Sequence, residues 1–424
     1  MSILIKSATV ITQNANREII NDCDILIEGS RLEAIGRRLQ AKGQWPKADV
    51  IIDAHGKIVL PGLINAHTHI AMTLFRGYGD GLPLQRWLQE KIWPAEAKLK
   101  PEQVYHGTLL GSCEMIRSGI TSFLDMYITG VDEIAKACEE TGIRASLSDA
   151  VINIPGHDIN RASSFAKKWK NKSTFVTPHI SAHSIYACTE EMLIKGKELA
   201  DKEKLKFHIH LSETRKEIFD CLNKTKKYPI EYLDSLGLLD ENTILAHASW
   251  VTKREIALAG KKKATIVNCP ISNLKLATGG ICPVREYYQQ GANVCIGTDG
   301  PASNNSLNMF ESIKLSALLQ KHHYWKADVL PTQAFLDFAT INGAKALGIN
   351  AGSLEKGKLA DVVLLDANAV NLNPKHDLVS NIVYAASPAN VTDVIINGKI
   401  IMRDKKILTV NGEKIIEKIN KIRF

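Results

Sequence analysis

Between Gly62 and Leu354, short apolar runs alternate with amphipathic helical stretches, and no other feature of the chain limits its fold as much. The runs that read as strands are Leu63–His69, Thr121–Met126, Arg144–Ala150, Thr174–Ala182, Lys206–Leu211, Thr243–His247, Thr265–Asn268 and Asn293–Thr298. A strand followed each time by a helix makes βα units and a parallel sheet. Eight such units predict closure into an α/β fold of the (β/α)8, TIM-like barrel type. The rival is a doubly wound sheet with a dinucleotide site. It requires a Gly-x-Gly-x-x-Gly turn after a strand, and none of the eight runs has one.

The two ends of the chain have a different texture. Ile3–Ile11 alternates loosely, Asp24–Ile35 reads as a hairpin about Gly29-Ser30, and Val50–Leu60 as another turning at His55-Gly56. After the barrel come the apolar runs Asp361–Leu365 and Ile382–Ala385. Val394–Met402 then pivots on Asn397-Gly398, and a closing helix is expected over Glu413–Lys421. These segments predict a small β-sandwich domain built from both termini, residues 1–60 and 356–424, flanking a barrel over 61–355.

With 45% apolar and 23% charged residues, the 424-residue chain has ample material for a core. Its net charge of +8 is dispersed. The lysine runs at Lys167–Lys172, Lys224–Lys227 and Lys261–Lys263 are not part of any known binding motif, so they read as solvated surface and not as a nucleic-acid stripe. The start, MSILIKSATVITQ, is strand-like and not a secretory signal, and no apolar run is long enough to span a bilayer. Eight scattered cysteines without a Cys-x-x-Cys pair indicate reduced core thiols and a cytoplasmic protein.

The strand ends carry the chemistry. The first ends in His67-Thr68-His69, whose two imidazoles share one face of an extended strand. Alone, a His-x-His pair is more often coincidence than a ligand pair. Here strand five offers His208 and His210, followed by Glu213, strand six ends in His247, and strand eight runs into Asp299. His67, His69, His210 and Asp299 form a nitrogen and oxygen set suited to zinc, ahead of iron or another divalent metal. His208 lies deeper and reads as packing. A bridging lysine at the end of strand four would signal two metals. His179–Ile185 contains none, so one ion per chain is expected. Such a site activates water, with Asp299 accepting a proton, Glu213 protonating a ring nitrogen of the substrate, and His247 stabilising the attacking oxygen. Deamination of an amidine-like heterocycle and hydrolysis of a cyclic amide both fit.

Five segments in order, PGLINAHTH, HIHLSE, LAHAS, NCPISNLKLATGG and GTDGPASNN, resemble the amidohydrolase superfamily. More narrowly, they resemble its 5′-methylthioadenosine/S-adenosylhomocysteine deaminase branch, related to chlorohydrolases and guanine deaminases. The resemblance runs over essentially the whole chain. It implies the same four metal ligands, proton-transfer roles for Glu213 and His247, and assembly into homo-oligomers. It also implies substrate contacts from Trp87 and Glu96 in RGYGDGLPLQRWLQEKIWPAE, from His183 in SAHSIYACT, from Arg161, and from Glu213. Without the resemblance, Glu96 reads as an exposed helical carboxylate and His183 equally well as a structural histidine. Where some members carry a second arginine, after Gly142-Ile143-Arg144, this chain offers Asp149, which leaves recognition of the amino-acid tail of S-adenosylhomocysteine open.

The leading expectation is therefore a zinc-dependent deaminase of adenine nucleosides (5′-methylthioadenosine, S-adenosylhomocysteine or adenosine), giving the inosine analogue and ammonia. A deaminase or chlorohydrolase of a free purine, pyrimidine or triazine is the second expectation, favoured if Glu96 does not face the pocket. A catalytically silent scaffold is the third, and the full set of ligands plus Glu213 opposes it.

Overall fold

The structure, a computed structural model, describes residues 1–37, 39 and 46–422. At the N-terminus β1 (Ser2–Ile11) pairs antiparallel with β2 (Ile19–Glu28), and β2 with β3 (Arg31–Arg37). The β2–β3 turn falls at Gly29-Ser30, as expected. The Val50–Leu60 segment does not form the expected hairpin. Its two strands, β4 (Val50–Asp53) and β5 (Lys57–Pro61), both run parallel to β1, one after the other. The left-handed turn at Gly56 therefore steps the chain along β1 without reversing it. In that arrangement Ile52, Ala54 and Val59 join Ile3, Ile5 and Val10 in one core.

The middle of the chain supplies β6 (Leu63–Thr68), β7 (Ile120–Tyr127), β8 (Arg144–Asp149), β9 (Val176–Pro178), β10 (Ile180–Ser184), β11 (Phe207–Leu211), β12 (Thr243–His247), β13 (Thr265–Asn268) and β14 (Asn293–Ile296). All pair parallel and in sequence order, as two runs, β6–β9 and β10–β14. The fourth expected strand is thus two strands, parted at His179. Pro178 has no N–H to carry the ladder onward, and the chain passes there from β8's edge to β11's. Backbone bonds still tie the runs at this seam, from Val151 N to Ser181 O and from His183 N to Val151 O. At the opposite seam Asp299 N donates to His67 O, and Thr298 and Asn65 exchange bonds. Most of these strands are buried along their whole length, as expected of parallel strands covered on both faces.

After the central region β15 (Val362–Asp366) pairs antiparallel with β5, and β16 (Val391–Ile396), β17 (Lys399–Arg403) and β18 (Lys406–Ile407) follow in a meander. The β16–β17 turn lies at Asn397-Gly398, as its sequence demands. The termini therefore share one sheet of nine strands. The apolar run Ile382–Ala385 is not a strand but mostly the end of a helix, Leu378–Tyr384. Its buried residues, Val379, Ile382 and Val383, have helical spacing, and Asp377 caps it by accepting from Ser380 N. A last helix, Gly412–Ile419, closes the chain. All eight cysteines are free and buried. Among the described residues no helix is long and apolar enough to cross a membrane.

A buried ion pair joins the terminal sheet to the central strands. The Arg144 guanidinium meets Asp361 through two bonds of 3.0 and 3.1 Å, and its third arm reaches Thr174 O at 2.7 Å. With the side chains only 7% and 2% exposed, removing the carboxylate leaves a buried cation without its counter-ion. Asp361→Ala is expected to lower stability by about 3–5 kcal/mol, measured by urea unfolding.

Candidate active site

The C-terminal ends of β6, β11 and β12 and the loop after β14 bring His67, His69, His210, His247 and Asp299 together. The His67 ring centroid lies 4.9 Å from those of His69 and His210 and 5.4 Å from that of His247. Asp299 Oδ1 stands 3.4 Å from His67 Nε2 and 3.2 Å from His69 Nε2, while His69 Nε2 and His210 Nε2 are 3.2 Å apart. The opposite face of each ring is already committed. His69 Nδ1 donates to Met126 O at 2.5 Å and His210 Nδ1 to His183 O at 2.7 Å. His67 Nδ1 lies 3.1 Å from His208 Nε2, so His208 is a partner of a candidate ligand as well as packing. The carbonyl bonds require Nδ1–H on His69 and His210, and they turn the Nε2 atoms of those two rings inward.

Asp299 is oriented in the same way. Its Oδ2 accepts from Ser272 Oγ at 2.5 Å and Ser303 Oγ at 2.7 Å, leaving Oδ1 to face the imidazoles. Neither serine was singled out from the sequence, although both stand in the quoted NCPISNLKLATGG and GTDGPASNN segments. Burial works against charge on Asp299, but His67 and His69 hold its carboxyl well below the usual range. Burial likewise opposes charge on His69, yet Asp299 outweighs it and lifts the ring to about 9. Burial takes His67 down to about 3. His67 Nε2 is buried with no hydrogen-bond partner. Three inward imidazole nitrogens, one of them orphaned, and one carboxylate oxygen make a donor set that fits a divalent cation, and His247 is also placed to share an ion with His67 and His210.

Beside this cluster lies a cavity open to the surface. Glu213, His247, His183, Trp87 and Glu96 all line it, together with Met72, Leu84, Leu88, Trp93, Met126 and Leu276. Glu213 is buried, and that burial raises its carboxyl despite His247, whose Nδ1 lies 3.9 Å away. His247 is steadied by Asn273 Oδ1, 3.2 Å from its Nδ1. Glu96 is 4% exposed, not the surface carboxylate its local sequence suggests, and one of its oxygens has no partner. Burial pushes it up to about 7, against the pull of Tyr127 and His69. Arg161 does not join the lining. Its guanidinium is held by Asp149 at 2.7 Å, Ile128 O at 2.7 Å and His157 at 2.9 Å. Among the described residues no lysine or arginine lines the cavity.

The sequence pattern of the amidohydrolase family matches residues 58–401. The chain belongs to that family. It is 44% identical to a 5′-deoxyadenosine deaminase of Methanosphaera stadtmanae over 421 residues, 98% of this chain and 96% of the relative. It is 42% identical to a 5-methylthioadenosine/S-adenosylhomocysteine deaminase of Dictyoglomus thermophilum over 421 residues, covering 96% of this chain and 98% of that one. A zinc-bound crystal structure of an adenosine deaminase from Xanthomonas campestris superposes with a TM-score of 0.95 at 32% identity, covering 99% of this chain and 97% of its own. As an amidohydrolase matched over nearly its whole length by deaminases, the chain is a hydrolytic deaminase.

The buried carboxyl of Glu96 has a consequence for stability. Its affinity for a proton rises on folding, from the usual 4.5 to about 7. The folded state therefore binds the proton more tightly, and the contribution is full below pH 4.5 and lost as pH rises through 7. At ~1.4 kcal/mol per tenfold in proton affinity, the loss is on the order of 3 kcal/mol. With divalent ions chelated, melting curves from pH 4.5 to 8 are expected to show Glu96→Gln gaining on the wild type by that amount.

Proposed function

We propose that the chain deaminates adenine nucleosides whose 5′ group is uncharged, 5′-deoxyadenosine and 5′-methylthioadenosine ahead of S-adenosylhomocysteine. The observation that carries this is Glu96. It is a buried carboxylate with a free oxygen, in the same cavity as the imidazole cluster and Glu213. A carboxylate accepts both hydroxyl protons of a vicinal diol, which suits a ribose. The names of the relatives support the same substrate class. The second expectation, a free purine, pyrimidine or triazine, has no use for that carboxylate.

His67, His69, His210 and Asp299 would hold one divalent cation, zinc ahead of iron, and a similar adenosine deaminase structure contains bound zinc. Bound there, it supplies Lewis-acid activation of the attacking water. Asp299 takes a proton from that water. Glu213, kept protonatable by burial, gives a proton to the adjacent ring nitrogen, which makes the carbon electron-poor, and regains one from the added hydroxyl as the carbonyl forms, while Asp299 passes its proton to the departing amine. His247, braced by Asn273, faces the attacking oxygen. A carbon–oxygen bond forms, the carbon–nitrogen bond breaks, and ammonia leaves. Trp87 packs on the nucleoside and His183 borders it. Arg161 is neutralised by Asp149, so the charged tail of S-adenosylhomocysteine meets no cation in the lining.

The same proposal includes the architecture. The bonds at both seams support one (β/α)8 barrel over 61–355. The core shared by β1, β2, β5, β15 and β16 supports a sandwich-like fold of the terminal sheet, residues 1–60 and 356–424.

Metal analysis of purified protein is expected to give about one divalent ion per chain, and two tightly held ions, or none after zinc loading, would overturn the ligand assignment. Ammonia-release kinetics test the substrate. Glu96→Ala should lower kcat/KM for 5′-deoxyadenosine by at least ~10-fold and leave adenine nearly unaffected. S-adenosylhomocysteine should trail 5′-deoxyadenosine in the wild type by at least ~10-fold. Equal losses on nucleoside and base would sink the ribose contact.

A further inference from the structure

We infer that Glu217 is a positioning residue for Glu213, holding the turn that aims that carboxylate into the cavity. This rests on the proton-transfer role proposed for Glu213. Glu217 sits in the first turn of the helix Arg215–Thr225, is 3% exposed and does not line the cavity. Its Oε1 accepts from Ser212 N at 2.8 Å and its Oε2 from Glu213 N at 3.0 Å. A carboxylate receiving two successive backbone N–H groups fixes the orientation of both peptides.

The chain contains a matched comparison. Thr214-Arg215-Lys216-Glu217 and Thr252-Lys253-Arg254-Glu255 have the same Thr-x-x-Glu spacing at a helix start. Glu255 makes the ordinary reciprocal cap, accepting from Thr252 N at 2.8 Å. Glu217 reaches back instead to the two residues before its cap. Those residues need holding, because Ser212 is left-handed with φ +53, a conformation that a residue with a side chain adopts only when its surroundings enforce it. From the other side Ser212 O accepts from Ser249 N at 3.0 Å and Trp250 N at 2.9 Å, in the loop that follows His247. Glu217 thus clamps one face of a strained turn whose other face carries the His247 loop.

The test is a double-mutant cycle on 5′-deoxyadenosine deamination, with melting temperatures read alongside. Glu217→Gln turns one acceptor into a donor against a backbone N–H. It should lower kcat at least ~10-fold with KM changed less than twofold. In the Glu213→Gln background the same substitution should cost less than twofold. Glu255→Gln, an equally buried cap, should lower the melting temperature but leave kcat within twofold. If Glu217→Gln does not fold, Glu217→Asp, which keeps the carboxyl group and shortens the reach, is read in its place. Full kcat in the Glu217 variant while Glu213→Gln is impaired overturns the inference, as does an undiminished loss in the Glu213→Gln background. Full activity of Glu213→Gln instead removes the proton-transfer role itself, which separates the two failures.

Discussion

Burying charge is the constraint on which this structure depends. His67, His69, His210, His247, Asp299 and Glu213 crowd into a few ångströms at a depth where water cannot solvate them individually, so each needs a partner that the fold supplies. The partners come from neighbouring strands. His69 on the β6 end leans on Met126 O of β7, and His210 of β11 on His183 O of β10. Asp299, after β14, is gripped by Ser272 and Ser303 from the helices that follow β13 and β14. Parallel order is therefore part of the chemistry, because it places a fixed acceptor from one strand end beside a ring from the next.

The same strand ends carry the backbone strain. Ser212, His247, Ala248 and Asp299 are all left-handed, and none is glycine. Each such residue costs of order 1–3 kcal/mol and persists only where surrounding bonds over-determine it. Those bonds are visible. Asp299 N is tied to His67 O, Ala248 N to Leu211 O, and Ser212 between Glu217 and the loop after His247. A strand continued in its extended conformation would carry the next side chain away on the ladder. The left-handed step turns it over the strand end, and so the strain is spent on aiming Glu213 and Asp299.

The strands and the central imidazoles were legible because both follow local rules. Strands covered on two faces are continuous apolar runs, and polar residues at their ends stand out against them. What was illegible depends on partners far away in sequence. The choice of β1 as neighbour for β4 and β5 is set by a shared core, and nothing in Val50–Leu60 itself encodes it. Ile382–Ala385 is an apolar run of a length that fits a strand or a helix equally. Glu96 shows a subtler limit. At about 100° per residue, nine residues of regular helix put Trp87 and Glu96 about 180° apart, on opposite faces. The π-helical turn Leu88–Ile92 between them absorbs an extra residue and rotates both toward the cavity. Ser272, Ser303 and Glu217 are ordinary residues in sequence, and only their partners reveal a role.

The lining sets what kind of selectivity the proposed reaction can have. Most of the cavity wall is apolar, from Met72, Leu84, Leu88, Trp93, Met126 and Leu276, and the polar groups are concentrated at the imidazole cluster and Glu96. Apolar walls discriminate weakly, at about 10–200-fold for a methylene gained or lost, whereas a buried polar group left unpaired by the wrong substrate discriminates by about 10⁴ or more. On the proposed function, recognition of an adenine nucleoside would accordingly be strict at the ring and the ribose and permissive at the 5′ end among uncharged groups. Charge at the 5′ end is a separate matter. Arg161, which donates to Ile128 O in the cavity wall, is bound to Asp149, whose carboxyl burial lifts to about 6 while Arg161 draws it back. An arginine held in this way offers an incoming carboxylate little beyond what it would lose by breaking the pair, so a relative with an arginine in place of Asp149 would present a different 5′ subsite on the same catalytic frame.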